Sequence, residues 1–242
     1  MDLNIFDVYN LRARLSPSLI LLSPLFISVF LCVEKVRTVS ATSLILVILI
    51  AFANSIPIIQ RRLRDAQKAK ANNQSLVEKN NRAAEMLSVE DSTFDSVSKE
   101  RYYRKLASFD DSFLPFVNPT DSDDIHICCE SAVLYLRSRT RENRLVLEEN
   151  INYGFCRNLT EIKPAGMIIS TLCFAVVAVG SSLAFDSLST IPFSNYLAAV
   201  GDLFVLMFWI IGIKHSDVER AAENYSKTLI MSIDTLEAEH RD

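Results

Sequence analysis

Charge is missing from the four long apolar stretches of this 242-residue chain, with Asp202 as the one exception. Glycine is scarce at 5 residues and Trp209 is the sole tryptophan, so neither a glycine-rich phosphate loop nor a collagen-like repeat is present. The 5 cysteines, Cys32, Cys128, Cys129, Cys156 and Cys173, are an odd number without a CxxC pair, which argues against a disulfide framework and suits a reducing compartment. The 3 histidines, His126, His215 and His240, lie too far apart for a local metal pair. His126 with Cys128 and Cys129 lacks a second ligand pair at zinc-finger spacing, so no metal is expected there. GxSxG, HExxH and other nucleophile or metalloprotease signatures are absent, and the chain reads as a non-enzyme without a cofactor.

What is present is apolar residues gathered into runs. Leu15–Val33 carries no charge and is long enough for a helix to cross the hydrocarbon, which takes about 20 residues. Pro17 falls in its first turn and Pro24 is expected to kink it. The run is too long for a cleaved signal peptide, and a second follows closely. That second run is Ala41–Ile59, closed by Gln60-Arg61-Arg62-Leu63-Arg64. The third, Pro164–Phe185, is entered through Lys163, with Pro164 suited to a first helical turn. The fourth, Asn195–Ile213, is closed by Lys214 and His215, with Tyr196 and Trp209 placed near its ends as interfacial aromatics.

The expected fold is all-α: two transmembrane hairpins (15–59 and 164–213), a short N-terminus (1–14), a helical region (60–163) and an amphipathic tail (214–242). Arg12, Arg14, Arg61, Arg62, Arg64, Arg157, Lys163 and Lys214 border one side, against Lys35 and Arg37 on the other. The positive-inside rule puts both termini and the region 60–163 in the cytosol, and leaves the sequon Asn158-Leu159-Thr160 unglycosylated. Ala51 with Ser55, and Ala178 with Ser182, are small residues spaced for close helix packing.

Within the cytosolic part, Arg61 to about Val89 reads as a helix whose heptad seam pairs Leu63, Lys70, Val77 and Ala84 with Ala66, Asn73, Asn80 and Leu87. A solvated helix is the alternative. A short helix is expected over Ser98–Ser108, then turns at Leu114-Pro115-Phe116 and Asn118-Pro119-Thr120-Asp121. The next helix, capped by Ser122 or Asp123, has Ile125, Cys128, Cys129, Ala132 and Leu136 on its apolar side. In the tail, Val218, Ala222, Tyr225, Leu229, Ile233 and Leu236 recur every three or four residues. Such a stripe needs a partner, either the same tail in a neighbouring subunit or the 61–89 helix.

Asp202 is the most informative residue. An ionisable group inside an apolar span is costly unless it faces water or a partner, and in a symmetric oligomer it would form a ring of carboxylates, as cation pores use. A bland alternative is wetting from the outer interface. Asn54, near the inner end of the second run, is a weaker pore candidate, which an interhelical hydrogen bond explains equally. Arg137, Arg139, Arg141 and Arg144 would make a positive collar in an oligomer, suited to phosphates, unless Glu142, Glu148 and Glu149 pair with them. Arg101-Tyr102-Tyr103-Arg104-Lys105 interleaves cations with rings, as single-stranded nucleic-acid grooves do.

The stretch Asn118-Pro119-Thr120-Asp121, Thr140-Arg141, Glu149-Asn150, Tyr153-Gly154-Phe155, Arg157-Asn158-Leu159 and Lys163-Pro164 resembles small bacterial membrane proteins encoded beside nucleotidyltransferases in anti-phage defence loci, the Hailong-type effectors. The resemblance implies an inner-membrane, homo-oligomeric, tetrameric channel. It further implies that short DNA oligomers made by the partner enzyme hold it closed, and that their loss depolarises the cell. From the residues alone, two functions stay open: a channel gated by a nucleotide or oligonucleotide on the cytosolic helices, or a non-conducting scaffold that docks a cytosolic enzyme.

Overall fold

The computed structural model describes residues 8–33, 43, 50, 79–118 and 122–237, which are helical wherever they are regular, with no strand among them. The second apolar run apart from Ser43 and Ile50, Asn54 included, and the 61–78 part of the heptad seam lie outside the described residues. The helices are α1 (Ser16–Cys32, entered through a π-helical segment Asn10–Leu15), α2 (Lys79–Leu87), α3 (Ser96–Phe109), α4 (Ser122–Arg139), α5 (Arg144–Ala184), α6 (Phe193–Met207, continued by a π-helical Phe208–Gly212) and α7 (His215–Met231). Among the described residues, 3 helices are long and apolar enough to cross a membrane: Asn10–Cys32, Arg144–Ala184 and Phe193–Gly212. The chain divides into two compact units, one from Met1–Asn72 with Gly154–Asp217, the other from Asn73–Tyr153 with Val218–Asp242.

In the first unit, α1, the later part of α5, and α6 pack around Ile20, Phe155, Leu159, Val205 and Trp209. At two of the prolines that strip a helix of a backbone bond, a side chain serves the carbonyl four residues back. Pro24 cannot donate to Ile20, whose carbonyl accepts from Ser23 Oγ at 2.7 Å. Pro17 cannot donate to Ala13, whose carbonyl accepts from Asn158 Nδ2 at 2.6 Å. The sequon asparagine is thus a packing residue joining α5 to the entry of α1. Pro17 is the second residue of α1 and so lies in its first turn, as expected, with the π-helical segment running straight into it.

Pro164 departs from the expectation. It lies inside the 41-residue α5, which begins at Arg144. Its ring is on an exposed face, where the lost bond is the main cost. Trp209 is no interfacial aromatic either. It is fully buried, because Gly166 on α5 has no side chain and leaves a slot that the indole fills. Tyr196 does sit at a partly exposed position, its hydroxyl donating to the Leu188 carbonyl at 2.6 Å. Ala178 and Ser182 fall on the exposed side of α5, whereas Gly166, Ser170, Val177 and Ser181 form its small, buried stripe.

The contacts fix helix directions. Ala13 meets Asn158, and Ser28 and Val29 share a cavity wall with Cys173, so α1 and α5 run parallel. Asn195 Nδ2 donates to Ser181 Oγ at 2.9 Å and Trp209 covers Gly166, so α6 returns antiparallel to α5.

The second unit encloses a core of Met86, Leu87, Leu106, Ala132, Leu136, Leu229, Ile230 and Ile233, all at 0% exposure. The sequence reading of α4 holds here: Cys128, Cys129, Ala132 and Leu136 are buried and Ile125 is half-buried against the same core. Helix α3 begins at Ser96, two residues earlier than expected, because Asp95 caps it by accepting from Ser98 N at 2.9 Å. The tail finds its partner within its own chain, with Tyr225, Leu229, Ile230 and Ile233 joining Ala84 and Leu87 of α2 in the core.

A polar brace closes the turn between α2 and α3. Asp91 accepts from Arg82 at 3.1 Å and from Thr93 N at 2.7 Å, while the buried Lys99 ammonium donates to the carbonyls of Ser88 and Asp91. Burial opposes ionisation of Asp91, but the Thr93 bonds and the Arg82 and Lys99 cations together outweigh it and hold the carboxyl below its ordinary value. A depressed carboxyl contributes stability that is present above the unfolded value and lost as pH falls through the folded one. Asp91→Asn is therefore expected to cost about 1 kcal/mol at neutral pH and to flatten the acid limb of a thermal-melting profile.

Candidate functional site

The structure places the sequence-derived candidates in two unrelated settings, one in each unit. Asp202 lies on α6 at 0% exposure. Its Oδ2 is 2.6 Å from Ser28 Oγ on α1, and its Oδ1 has no hydrogen-bond partner. Gly201, one residue earlier, lets α1 approach: a Cβ there would meet Ile27 Cγ2 at 3.0 Å. The carboxyl is therefore not wetted from an interface but sealed where α1 and α6 touch. Beside it a cavity of about 390 Å³ opens among Leu25, Ser28, Val29, Cys173, Val177 and Ser181.

The cationic candidates divide by face. Tyr102 is a core residue at 3% exposure, and Tyr103 stacks on Phe116 with centroids 4.7 Å apart and 3° between planes. The Tyr103 hydroxyl donates to the Leu87 carbonyl, and burial pushes its ionisation up to about 12. These rings serve the core, so no stacking platform for bases accompanies the cations. Arg101, Arg104 and Lys105 do come together on the outer face of α3, lining with Val97 and Glu100 a shallow cleft of about 490 Å³. Arg101 forks onto Asp234, Nε to Oδ1 at 3.1 Å and the terminal nitrogen to Oδ2 at 2.8 Å. Lys105 donates to the Asp234 carbonyl at 2.8 Å, and Arg104 pairs with Glu100. The hydrogen bond from Arg101 to Asp234, then the attraction between the charges, raises the guanidinium's ionisation further.

No family model, curated protein or solved structure matches this chain. The site must be read from its own geometry.

The second arginine group does not converge on one face. Arg137 lies 5.9 Å from the Tyr225 ring, Arg139 lies 6.0 Å from that of Tyr135, and Arg144 pairs with Glu148 at 3.2 Å. Arg141 is exposed. Burial pushes the Cys129 thiol up to about 12, aided by Cys128, which leaves it a packing residue rather than a nucleophile.

Three functional contacts were not anticipated from sequence. Ser28 is one serine among several in its run, and nothing local marks it as the partner of a residue 174 positions away. Lys163 donates to the carbonyls of Ile210 at 3.3 Å and Ile213 at 2.8 Å, capping the end of the α6 segment. Its position beside an apolar run was a usable signal, though read only as a topology marker. Asp234, three residues past the end of α7, is the third.

Proposed function

We propose that the chain is a four-span membrane protein that assembles into a homo-oligomeric ion channel, gated through its cytosolic unit by a phosphate-bearing ligand such as a nucleotide or short DNA oligomer. The observation that carries this is Asp202, a carboxyl wholly enclosed by apolar helices with one oxygen unsatisfied. Such a group costs several kcal/mol in a purely structural role, on the order of what a buried unpaired charge costs. The four-span topology has support of its own. Because α1 and α5 run parallel, a chain in which both cross a bilayer must recross it between them, and Ala41–Ile59 is the uncharged apolar run in that interval. The basic flanks then put both termini, and the unit bearing α3, in the cytosol.

The long exposed faces of α5 and α6, with Ile168, Leu172, Val176, Val200 and Phe204 each more than half exposed, supply apolar surface for lipid or for neighbouring subunits. For the ligand, Asp234 occupies the Arg101 fork in the side-on geometry that a phosphate uses. A phosphate that took this fork would displace the last turn of the tail, and differential binding to the two arrangements would bias the gate.

The test is conductance of the purified full chain in liposomes, with and without short DNA oligomers, together with its mass in detergent. A multi-subunit mass and ligand-dependent flux are expected, with Arg101→Gln abolishing the ligand response. A monomer that passes no ions under either condition overturns the channel. A second reading, a non-conducting scaffold, is favoured by the sealing of Asp202 away from any open path, and predicts a monomer or dimer that passes no ions, together with tight co-purification of a partner enzyme.

A further inference from the structure

The contact between α1 and α6 has a chemistry that a pore lining alone does not explain. Asp202 is fully buried, it has Ser28 as its hydrogen-bond partner, and its Oδ1 has none. No Lys, Arg or His lies in any of the four apolar runs, and Asp202 is the only acid in them. On α1, Ser16–Cys32 presents no titratable group before Cys32. On α5, the titratable group within electrostatic reach is the Cys173 thiol. The second apolar run, Ala41–Ile59, contains none in its sequence. A carboxylate in this position would have no cation to meet and one hydroxyl to hold it, in a medium that penalises charge by tens of kcal/mol in the limiting case. A carboxylic acid, by contrast, has no charge to bury, and because its hydroxyl and that of Ser28 are each donor and acceptor, the 2.6 Å contact is kept with either one donating.

We propose that Asp202 and Ser28 form a proton-binding site: in the conformation described here the carboxyl is the neutral acid, its proton locks α1 to α6, and ionisation releases them. The proposal deepens the channel reading and rests on these helices lying in a bilayer. Its ligand is the proton itself, and its consequence is that the α1–α6 contact opens as pH rises.

Dicyclohexylcarbodiimide is a direct probe, because it partitions into lipid and reacts with protonated carboxyls. The acid O–H adds across one C=N bond, the proton going to nitrogen and the carboxyl oxygen to the central carbon. An acyl shift to the neighbouring nitrogen then leaves a stable N-acylurea from which no atom has been lost. The cavity lined by Ser28, Leu25, Val29 and Cys173 gives an apolar reagent a place beside the site. The full chain in liposomes would be treated at about pH 6 and about pH 9, on either side of neutrality. Expected is labelling on the peptide carrying Asp202 that falls about tenfold at the higher pH, and none in Asp202→Asn. No label on Asp202 at either pH, or label that does not change with pH, overturns the proton lock.

A second measurement follows the helices themselves. Because a Cβ at Gly201 would lie 3.0 Å from Ile27 Cγ2, cysteines at both positions are within reach of a disulfide. In a background with the native cysteines replaced by serine, cross-linking of Ile27→Cys with Gly201→Cys should slow as pH rises, after correction for thiol ionisation on a distant exposed pair. Asp202→Asn, which carries a neutral amide at every pH, should cross-link at an unchanging rate. Equal pH dependence with and without Asp202 counts against the lock. Flux measured in the same liposomes separates the two readings: labelling without conductance leaves the proton site standing and removes the channel, and conductance without labelling does the reverse.

Discussion

Gly166→Ala will dislodge Trp209 from its slot and loosen the α5–α6 hairpin. A Cβ at 166 would overlap the fused ring of the indole, three of whose atoms are the nearest neighbours of that position. The ring cannot retreat, since Trp209 is at 0% exposure and has Phe208 edge-on to it at 5.8 Å. Overpacking commonly costs about 1–3 kcal/mol, and a rigid bicyclic ring against helix backbone belongs at the upper end. Water does not drive these helices together in lipid, so close packing carries most of the association and its loss is felt in full. Trp209 is the only tryptophan, which makes the measurement a single-site one. In liposomes containing brominated acyl chains, wild-type fluorescence should resist quenching, while Gly166→Ala should be quenched strongly as the indole moves into lipid. Trp209→Leu combined with Gly166→Ala should recover much of the thermal stability. Equal quenching of wild type and Gly166→Ala would show that the slot is not closed.

Periodicity and charge made the elements legible and left their partners unreadable. The apolar runs predicted α1 and α6 within a few residues, and the three-and-four spacing of Cys128, Cys129, Ala132 and Leu136 predicted the buried face of α4. Turn chemistry was partly legible: Leu114-Pro115-Phe116 belongs to a 3₁₀ turn that brings Phe116 under Tyr103. What failed depended on a contact distant in sequence. A proline marks a missing donor, but not that Asn158 serves Ala13. A tryptophan near a span end reads as interfacial unless a glycine on another helix is known to face it. The run Arg101–Lys105 mixes rings with cations in sequence, yet a helix turns about 100° per residue and sends the tyrosines inward and the cations out. Asp202 was visible at once, because a lone charge in an apolar run needs no partner to be noticed; Ser28 was not.

Ending the chain after Asp217 will unfold the second unit. The tail contributes Tyr225 at 5% exposure and Leu229, Ile230 and Ile233 at 0%. Full burial of such a side chain is worth about 1.5–3 kcal/mol, so these four amount to about 6–12 kcal/mol, comparable to the whole stability of a typical domain. Helices α2, α3 and α4 would be left with Leu87, Leu106 and Leu136 facing water. Limited proteolysis of membranes is therefore expected to cut the truncated chain between 79 and 153 at protease levels the full chain survives. A milder variant separates the tail's two duties. Asp234→Asn leaves the apolar stripe intact but frees the Arg101 fork, and an exposed pair of this kind contributes little to folding. The unit should then stay protease-resistant while the α3 face binds phosphate-bearing ligands more tightly, since the internal carboxylate no longer competes. If truncation left proteolysis unchanged, the tail would not be part of the core. If Asp234→Asn weakened ligand binding rather than strengthening it, Asp234 would be a support for the α3 face and not the group a ligand displaces.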